Sequence, residues 1–421
     1  MVAGNAAIST MAVRILGLLI NLCVLALVGR YADQASLGIV IVLNAAAFVG
    51  GVVCSAGLPT WILRAISEHR VDGKLDRIGA EYERAFKKVR QLSTFTVMAA
   101  SVTAYAQHSG LVPEIGVFGA LETCALGVCS AALGVQLLDT SLMRSLKRPV
   151  LAGAFQFCSQ PLCLLISLIA LSGVAGETSR IVTVFAITAG IVLNAVVVHC
   201  YLRCCLNLPT RSVYLDPIDE RSVRSFWMLS LVGSASAQAP LIVAAVMLSP
   251  SAATLIGIPF RICNLPMTIV AALGSYYAPS LREAFIRSDI SAQRRDLLQS
   301  QWLGGLFVTP LVVVSWVAPE RLLDLFSASA DTGPILLRMF SVAQLAIASC
   351  GVSEQHLAMI GREKTATIAA CLCLFTVMVT GCLLSSVFGA LGVGGVWIVA
   401  SVVRQFYVLS ASRSALQASA L

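Results

Sequence analysis

Apolar residues in this chain come in long unbroken runs rather than in the one-sided stripes of a water-soluble fold. Stretches such as Ile15 to Val28, Ile39 to Val53 and Val150 to Leu171 are nearly free of charge. A helix needs about 20 residues to cross about 30 Å of hydrocarbon, so each such run predicts a transmembrane helix. By that measure spans are expected near residues 9–29, 37–61, 93–109, 115–138, 150–172, 181–203, 226–248, 252–276, 302–318, 333–355, 366–387 and 391–411. Turn and charge signals separate them, among them Arg30 to Gln34, Pro113-Glu114, Arg144 to Pro149, Ser249-Pro250 and Gly361 to Lys364. The expected fold class is therefore all-α, a polytopic membrane protein of about twelve helices. The first run is longer than the roughly 7 to 15 apolar residues of a signal-peptide core, and is expected to remain as a span.

Composition points the same way. Of 421 residues 58% are hydrophobic and 12% charged, against roughly a quarter charged in soluble chains. The positions of the 29 basic residues set the orientation, because Lys and Arg gather in cytoplasmic loops. Connections after even-numbered spans hold nearly all of them: Arg64, Arg70, Lys74, Arg77, Arg84, Lys87, Lys88 and Arg90 after the second, and Arg144, Lys147 and Arg148 after the fourth. Odd connections hold only Arg30, Arg180, Arg321 and Arg338. Both termini are expected in the cytoplasm, and topology rather than nucleic-acid binding accounts for the net charge of +8. Within residues 62–92, Leu75, Ile78, Tyr82, Phe86 and Val89 recur at near-helical spacing. That stripe suits either a helix in the headgroup region or a solvated extension of the third span.

Candidate chemistry is sparse. Most of the fourteen cysteines fall inside predicted spans, with no CxxC pair or Cys/His cluster at zinc spacing, so they read as small apolar packers. No nucleotide-binding glycine loop and no nucleophile triad is evident. Neither metal, cofactor nor enzymatic activity is expected.

A weak internal repeat organises the chain. A shift of 215 residues places Asp139 on Glu354, Leu142 on Leu357 and Lys147 on Arg362, and a shift of 218 places Leu63-Arg64 on Leu281-Arg282. Both shifts equal six spans, implying two parallel six-helix lobes, 1–205 and 226–421, joined by a cytoplasmic linker over 206–225. Transporters built this way commonly bind substrate between the repeats near the midplane.

Order and spacing of several residues resemble a known family. Arg14, Gly29-Arg30-Tyr31, Gly38 and Gly57-Leu58-Pro59 followed by Arg64, then Gly257 and Arg261, Ala278-Pro279 and the Gly361-Arg362 turn, look like the Wzx-type polysaccharide flippases of the multidrug/oligosaccharidyl-lipid/polysaccharide exporter (MOP) superfamily. The resemblance implies two lobes around a central cavity that alternates between sides, in a bacterial inner membrane. It implies a polyprenyl-diphosphate-linked oligosaccharide as substrate, no bound cofactor, and a place beside the membrane lipid and the polymerase and glycosyltransferases of polysaccharide assembly.

Such a substrate carries an anionic diphosphate, so the site residues should include buried cations. Arg261 lies about ten residues into the eighth span, near the bilayer centre, where facing lipid would cost about 2.5 to 3.5 kcal/mol or more. Pro259, Pro266 and Asn264 flank it. The alternative is a structural pair with a carboxylate. Arg14 matches the family's basic position in the first span, or snorkels to headgroups. Asn21, Asn44 and Gln238 could bond sugar hydroxyls or bridge helices. Glu122, about seven residues inside the fourth span, is the ion-coupling candidate, unless it pairs permanently with Arg261 or Arg14. Asp139 and Glu354 read as surface partners of Arg144 and Arg362, and Arg404 as an interfacial anchor. Two other readings stay open: a cation-coupled multidrug antiporter of the same superfamily, and a non-transporting component of a polysaccharide assembly complex.

Overall fold

A computed structural model of the chain describes residues 2–31, 34–71, 77–114, 118–146, 148–175, 179–205, 220–326 and 332–418. The linker expected over 206–225 falls mostly outside them, as does Leu75. Helices account for nearly all of the described chain, and eight of them are long and apolar enough to cross a membrane. The last of these holds two expected spans. Each of the twelve expected spans finds a helical counterpart.

Contacts divide the chain into two compact units. One comprises Leu16–Val24 and Tyr31–Gln238; the other Met1–Ile15, Leu25–Arg30 and Ala239–Leu421. Helix α1 (Val2–Tyr31) contributes to both, and the later division falls inside α9 (Glu220–Met247), two residues before Pro240.

In the first unit, the run expected over 37–61 is broken. Helix α2 (Gln34–Ser55) stops at Ala56 and Gly57, both with positive φ (47° and 75°), and α3 (Leu58–Val71) follows. The cause is close packing: a Cβ on Gly57 would lie 2.6 Å from the Trp227 amide nitrogen and from the Val223 carbonyl oxygen of α9. Helix α4 (Arg77–His108) is continuous, so the charged 77–92 stretch extends the third span. Its apolar stripe faces neither headgroups nor water. Ile78, Tyr82, Ala85 and Val89 are buried among Leu58, Trp61, Ile62 and Ile66 of α3, Leu138 and Leu142 of α5 (Ala120–Ser145), and Val198 and Leu202 of α8 (Arg180–Cys205). A stripe at helical spacing shows that one face is covered but not by what, and here neighbouring helices cover it.

The fifth span is α6 (Pro149–Gly153), a π-helical segment at Ala154–Ser159, and α7 (Gln160–Ala175). A wider turn loosens the regular backbone ladder, and the Phe155 carbonyl accepts from Gln136 Nε2 and Asn194 Nδ2 at 3.4 Å each, with Ser159 Oγ, whose one hydrogen is shared between this carbonyl and Asn194 Oδ1, 3.0 Å away. Gly17 packs so closely on this segment that a Cβ there would come within 2.6 Å of the Phe157 backbone.

The second unit holds α10 (Pro250–Ile286), α11 (Ile290–Val317), α12 (Pro319–Asp324), α13 (Gly333–Ala348), α14 (Ser353–Met359) and α15 (Glu363–Ala418). Asp289 caps α11 by accepting from the Ala292 amide at 2.9 Å, and that amide and Ser291 hold its carboxyl below the usual carboxylate range. The run expected over 333–355 breaks at Gly351 (φ 60°), where the Ser300 hydroxyl accepts from the Val352 amide at 3.2 Å. Helix α15 joins two expected spans through a non-helical Gly389 (φ 56°, ψ −133°). Its halves lie side by side, with Cys373 opposite Ser401 at 3.9 Å and Ala369 packed near Val408.

Candidate functional site

Arg261 sits on α10, eleven residues after its first residue, Pro250, or roughly 16 Å along the axis. The neighbouring face of α10 is fixed by apolar packing: Ile256, Phe260 and Cys263 are buried. The Phe260 ring meets Phe340 of α13 and Trp397 of α15 edge-on at 5.6 and 5.0 Å between centroids. Arg261 flanks this wedge and is half-buried. One turn on, the Asn264 side-chain oxygen accepts from Gln344 Nε2 of α13 at 2.7 Å. Asn264 therefore bridges two helices, beside the guanidinium the sequence singled out. Arg14, also assigned to this unit, is half-buried on α1.

The first unit holds the other candidates. Asn21, Asn44 and Gln238 are all half-buried. Asn44 accepts from Gln160 Nε2 at 3.5 Å, which places it beside the polar seam around Phe155; Asn194 and Ser159 are hydrogen-bonded to each other in that seam. Glu122 is buried in the first turn of α5, where Oε1 meets Arg180 Nε at 2.7 Å and Oε2 accepts from the Gly119 amide at 3.1 Å. Its cation is thus Arg180, from a connection too polar to suggest a partner, rather than Arg261 or Arg14. Acidic groups are favoured at helix N-termini, where the backbone amides point.

Three sequence expectations are corrected. Asp139 is not a surface partner of Arg144, which instead bonds Gln156. Asp139 is wholly buried: Tyr82 of α4 donates its hydroxyl to Oδ1 at 2.6 Å, and His199 Nδ1 of α8 lies 3.1 Å from Oδ2. Burial, reinforced by Asp139, pushes the Tyr82 phenol well above its ordinary pKa, so the hydroxyl stays protonated and donates. Arg203 Nε donates to His199 Nε2 at 3.4 Å, its guanidinium pairs with Glu83, and the His199 ring stacks on Phe86 at 4.8 Å. In the second unit Glu354 pairs with Arg404 at 2.8 Å rather than with Arg362, so Arg404 is a helix-to-helix tie and not a free interfacial anchor.

The corresponding helix ends of the second unit carry another buried polar junction. There His356 of α14 contacts Gln293 of α11 at 3.1 Å and Ser412 of α15 at 2.8 Å. The first junction joins α4, α5 and α8, and the second α11, α14 and α15. Among the described residues no group of three or more His, Cys, Asp or Glu is placed to hold a metal ion.

No protein-family model matches the sequence, and no curated protein does. Solved structures match over nearly the whole chain. An inward-facing multidrug resistance MATE family transporter of the MOP superfamily is 13% identical, with 98% of each chain covered and a TM-score of 0.70. A MATE in complex with MaL6 is 12% identical, with 98% of this chain and 96% of that one covered and a TM-score of 0.67. A MOP superfamily transporter from Pyrococcus furiosus is 14% identical, with 99% and 96% covered and a TM-score of 0.64. At such identities the likeness is one of fold, and the chain has the multi-pass helical fold of the MATE transporters of the MOP superfamily.

Proposed function

We propose that this chain is a flippase that moves a polyprenyl-diphosphate-linked oligosaccharide from the cytoplasmic to the periplasmic leaflet of a bacterial inner membrane, by alternating access of its six-helix halves, for cell-surface polysaccharide assembly. The observation that carries the reading is Arg261. It is a half-buried guanidinium deep in an apolar helix, whereas the buried carboxylates among the described residues, Glu81, Glu122, Asp139 and Asp296, lie within two turns of helix ends. A cation kept at that depth costs several kcal/mol unless it faces water, protein or an anionic ligand, and a planar guanidinium suits a diphosphate.

In this reading Arg261 and Arg14 hold the diphosphate. Asn21, Asn44, Gln238 and Asn264 bond sugar hydroxyls, Asn44 and Asn264 by exchanging their present partners. Glu122, engaged at both oxygens, holds α5 to the start of α8 rather than carrying the coupling ion. The similar Pyrococcus furiosus transporter is described as having a binding pocket of reversed polarity that suggests a different function. Pocket polarity is accordingly a reasonable guide to substrate within this fold.

The likeness to multidrug resistance MATE transporters favours a second reading, cation-coupled drug export. A deletion strain separates the two. The flippase reading expects lipid-linked sugar to accumulate on the cytoplasmic face; drug hypersensitivity with an unchanged glycolipid pool would replace it. In proteoliposomes Arg261→Ala should abolish translocation at normal insertion, and Arg261→Lys should keep part of it. An alanine variant as active as the parent would remove Arg261 from the site.

A further inference from the structure

The Tyr82–Asp139–His199 junction is more elaborate than helix packing requires. A wholly buried carboxylate is engaged from two other helices, while the histidine that touches it keeps a quarter of its side chain in contact with the surroundings. The hydrogen-bond directions settle which nitrogen carries the proton. Arg203 Nε–H can only donate, so His199 Nε2, 3.4 Å away, accepts. His199 Nδ1 then bears the hydrogen and points at Asp139 Oδ2 at 3.1 Å, with the Tyr82 hydroxyl oxygen at 3.4 Å. The histidine is neutral, with one lone pair occupied by an arginine.

We propose that this junction is a proton-binding site, His199 taking up one proton at Nε2, and that uptake loosens the hold of the end of α8 on α4, the Arg203–Glu83 pair persisting. The charged and titratable groups facing His199 are Tyr82 and Glu83 on α4, Asp139 on α5 and Arg203 on α8. When a proton adds to Nε2 the ring becomes an imidazolium. Its Nδ1–H still donates to Asp139, and the pair becomes ionic. The new Nε2–H points at the Arg203 Nε–H, so two donors and two positive charges now face each other. Arg203 loses its acceptor there, and with it the placement that holds its guanidinium 5.6 and 5.7 Å from the Phe86 and Tyr82 ring centroids; Glu83 is the partner that remains.

The second unit supplies the contrast. His356 is fully buried and its hydrogen-bond partners are the neutral Gln293 and Ser412. That junction has neither the acid nor the exposure, and it is assigned no proton. The two units thus each hold a buried polar junction, and of the two only the first sets a histidine against an acid.

The test has a direct arm and a transport arm. Purified protein in detergent, taken from pH 8 to pH 5 in weak buffer with a pH-indicating dye, should bind one proton fewer per chain in His199→Gln than in the parent. Amide exchange over residues 198–205, corrected for its intrinsic pH dependence, should be faster at pH 5 than at pH 8 in the parent and equal at both in His199→Gln. If the glutamine variant folds poorly, Arg203→Met serves: the histidine stays, and 198–205 should exchange at the fast rate at both pH values. Equal proton counts, or exchange in the parent that does not change with pH, overturns the proposal. The transport arm rests on the flippase reading: flux of lipid-linked sugar should respond to an imposed proton gradient in the parent and not in His199→Gln. No flux in the parent refutes the flippase reading while the proton count still decides the site.

Discussion

Consider Gly57→Ala beside Gly361→Ala. Both glycines hold similar positive φ, 75° and 79°, so an added Cβ meets the same left-handed backbone cost of about 1 to 2 kcal/mol at each. Their surroundings differ. Around Gly361 a Cβ would meet nothing within 4 Å, whereas at Gly57 it would stand 2.6 Å from two backbone atoms of α9. Backbone cannot rotate away as a side chain can, so α9 must shift. Overpacking of this kind costs about 1 to 3 kcal/mol beyond the φ term, or an extra factor of about five to more than a hundred in the folded-to-unfolded ratio. Unfolding of both variants and the parent in one detergent, followed by tryptophan fluorescence, measures the difference. Trp227 sits at the contact, so its emission should also change in Gly57→Ala before global unfolding. If the two variants lose the same stability, the break between α2 and α3 is not set by its packing on α9.

Other outcomes follow from the same geometry. Glu122→Gln keeps an acceptor for the Gly119 amide and loses only a pair with an arginine whose side chain is 52% exposed, so it should cost less than about 1 kcal/mol and leave any gradient response of transport intact; a lost response would return Glu122 to the coupling role. Glu122→Leu strands the buried Gly119 amide and should cost about 1 to 3 kcal/mol in the same unfolding assay. Reporter fusions after Lys88 and at the C-terminus should report the cytoplasm, and strong periplasmic activity after Lys88 would invert the topology argued from the basic residues.

The spans were legible because a bilayer imposes one ruler on every helix that crosses it, and runs such as Ile39 to Val53 match it without knowledge of their neighbours. What escaped was set by neighbours. Gly57 with Pro59 two residues on is a helix-stop signal that the length of the apolar run overrode, and the contact with Val223 and Trp227 that makes glycine necessary there lies far along the chain. The stripe Ile78, Tyr82, Phe86 and Val89 was visible as a stripe, but its burial depends on α3, α5 and α8. Asp139 was assigned to the basic residue nearest in sequence, while its actual partners are 57 and 60 positions away. Arg404 and Glu354, 50 positions apart, escaped in the same way. For Arg261, sequence and structure agree on depth in the helix, and the buried wedge of Phe260, Phe340 and Trp397 beside it is tertiary information that no spacing carries.

The π-helical turn at Ala154–Ser159 also bears on how this span tolerates insertions and deletions. A π turn contains one residue more than the α turn it replaces. Removing a residue between 154 and 159 should therefore tighten the turn to α-helix while leaving the lipid-facing and protein-facing sides of α6 and α7 in their present register. Elsewhere in a transmembrane helix the same deletion swings everything beyond it by about 100° and turns packed faces towards lipid. The fifth span thus carries a built-in reading-frame buffer, and a one-codon deletion scan across 149–175 should find its survivors clustered at that turn.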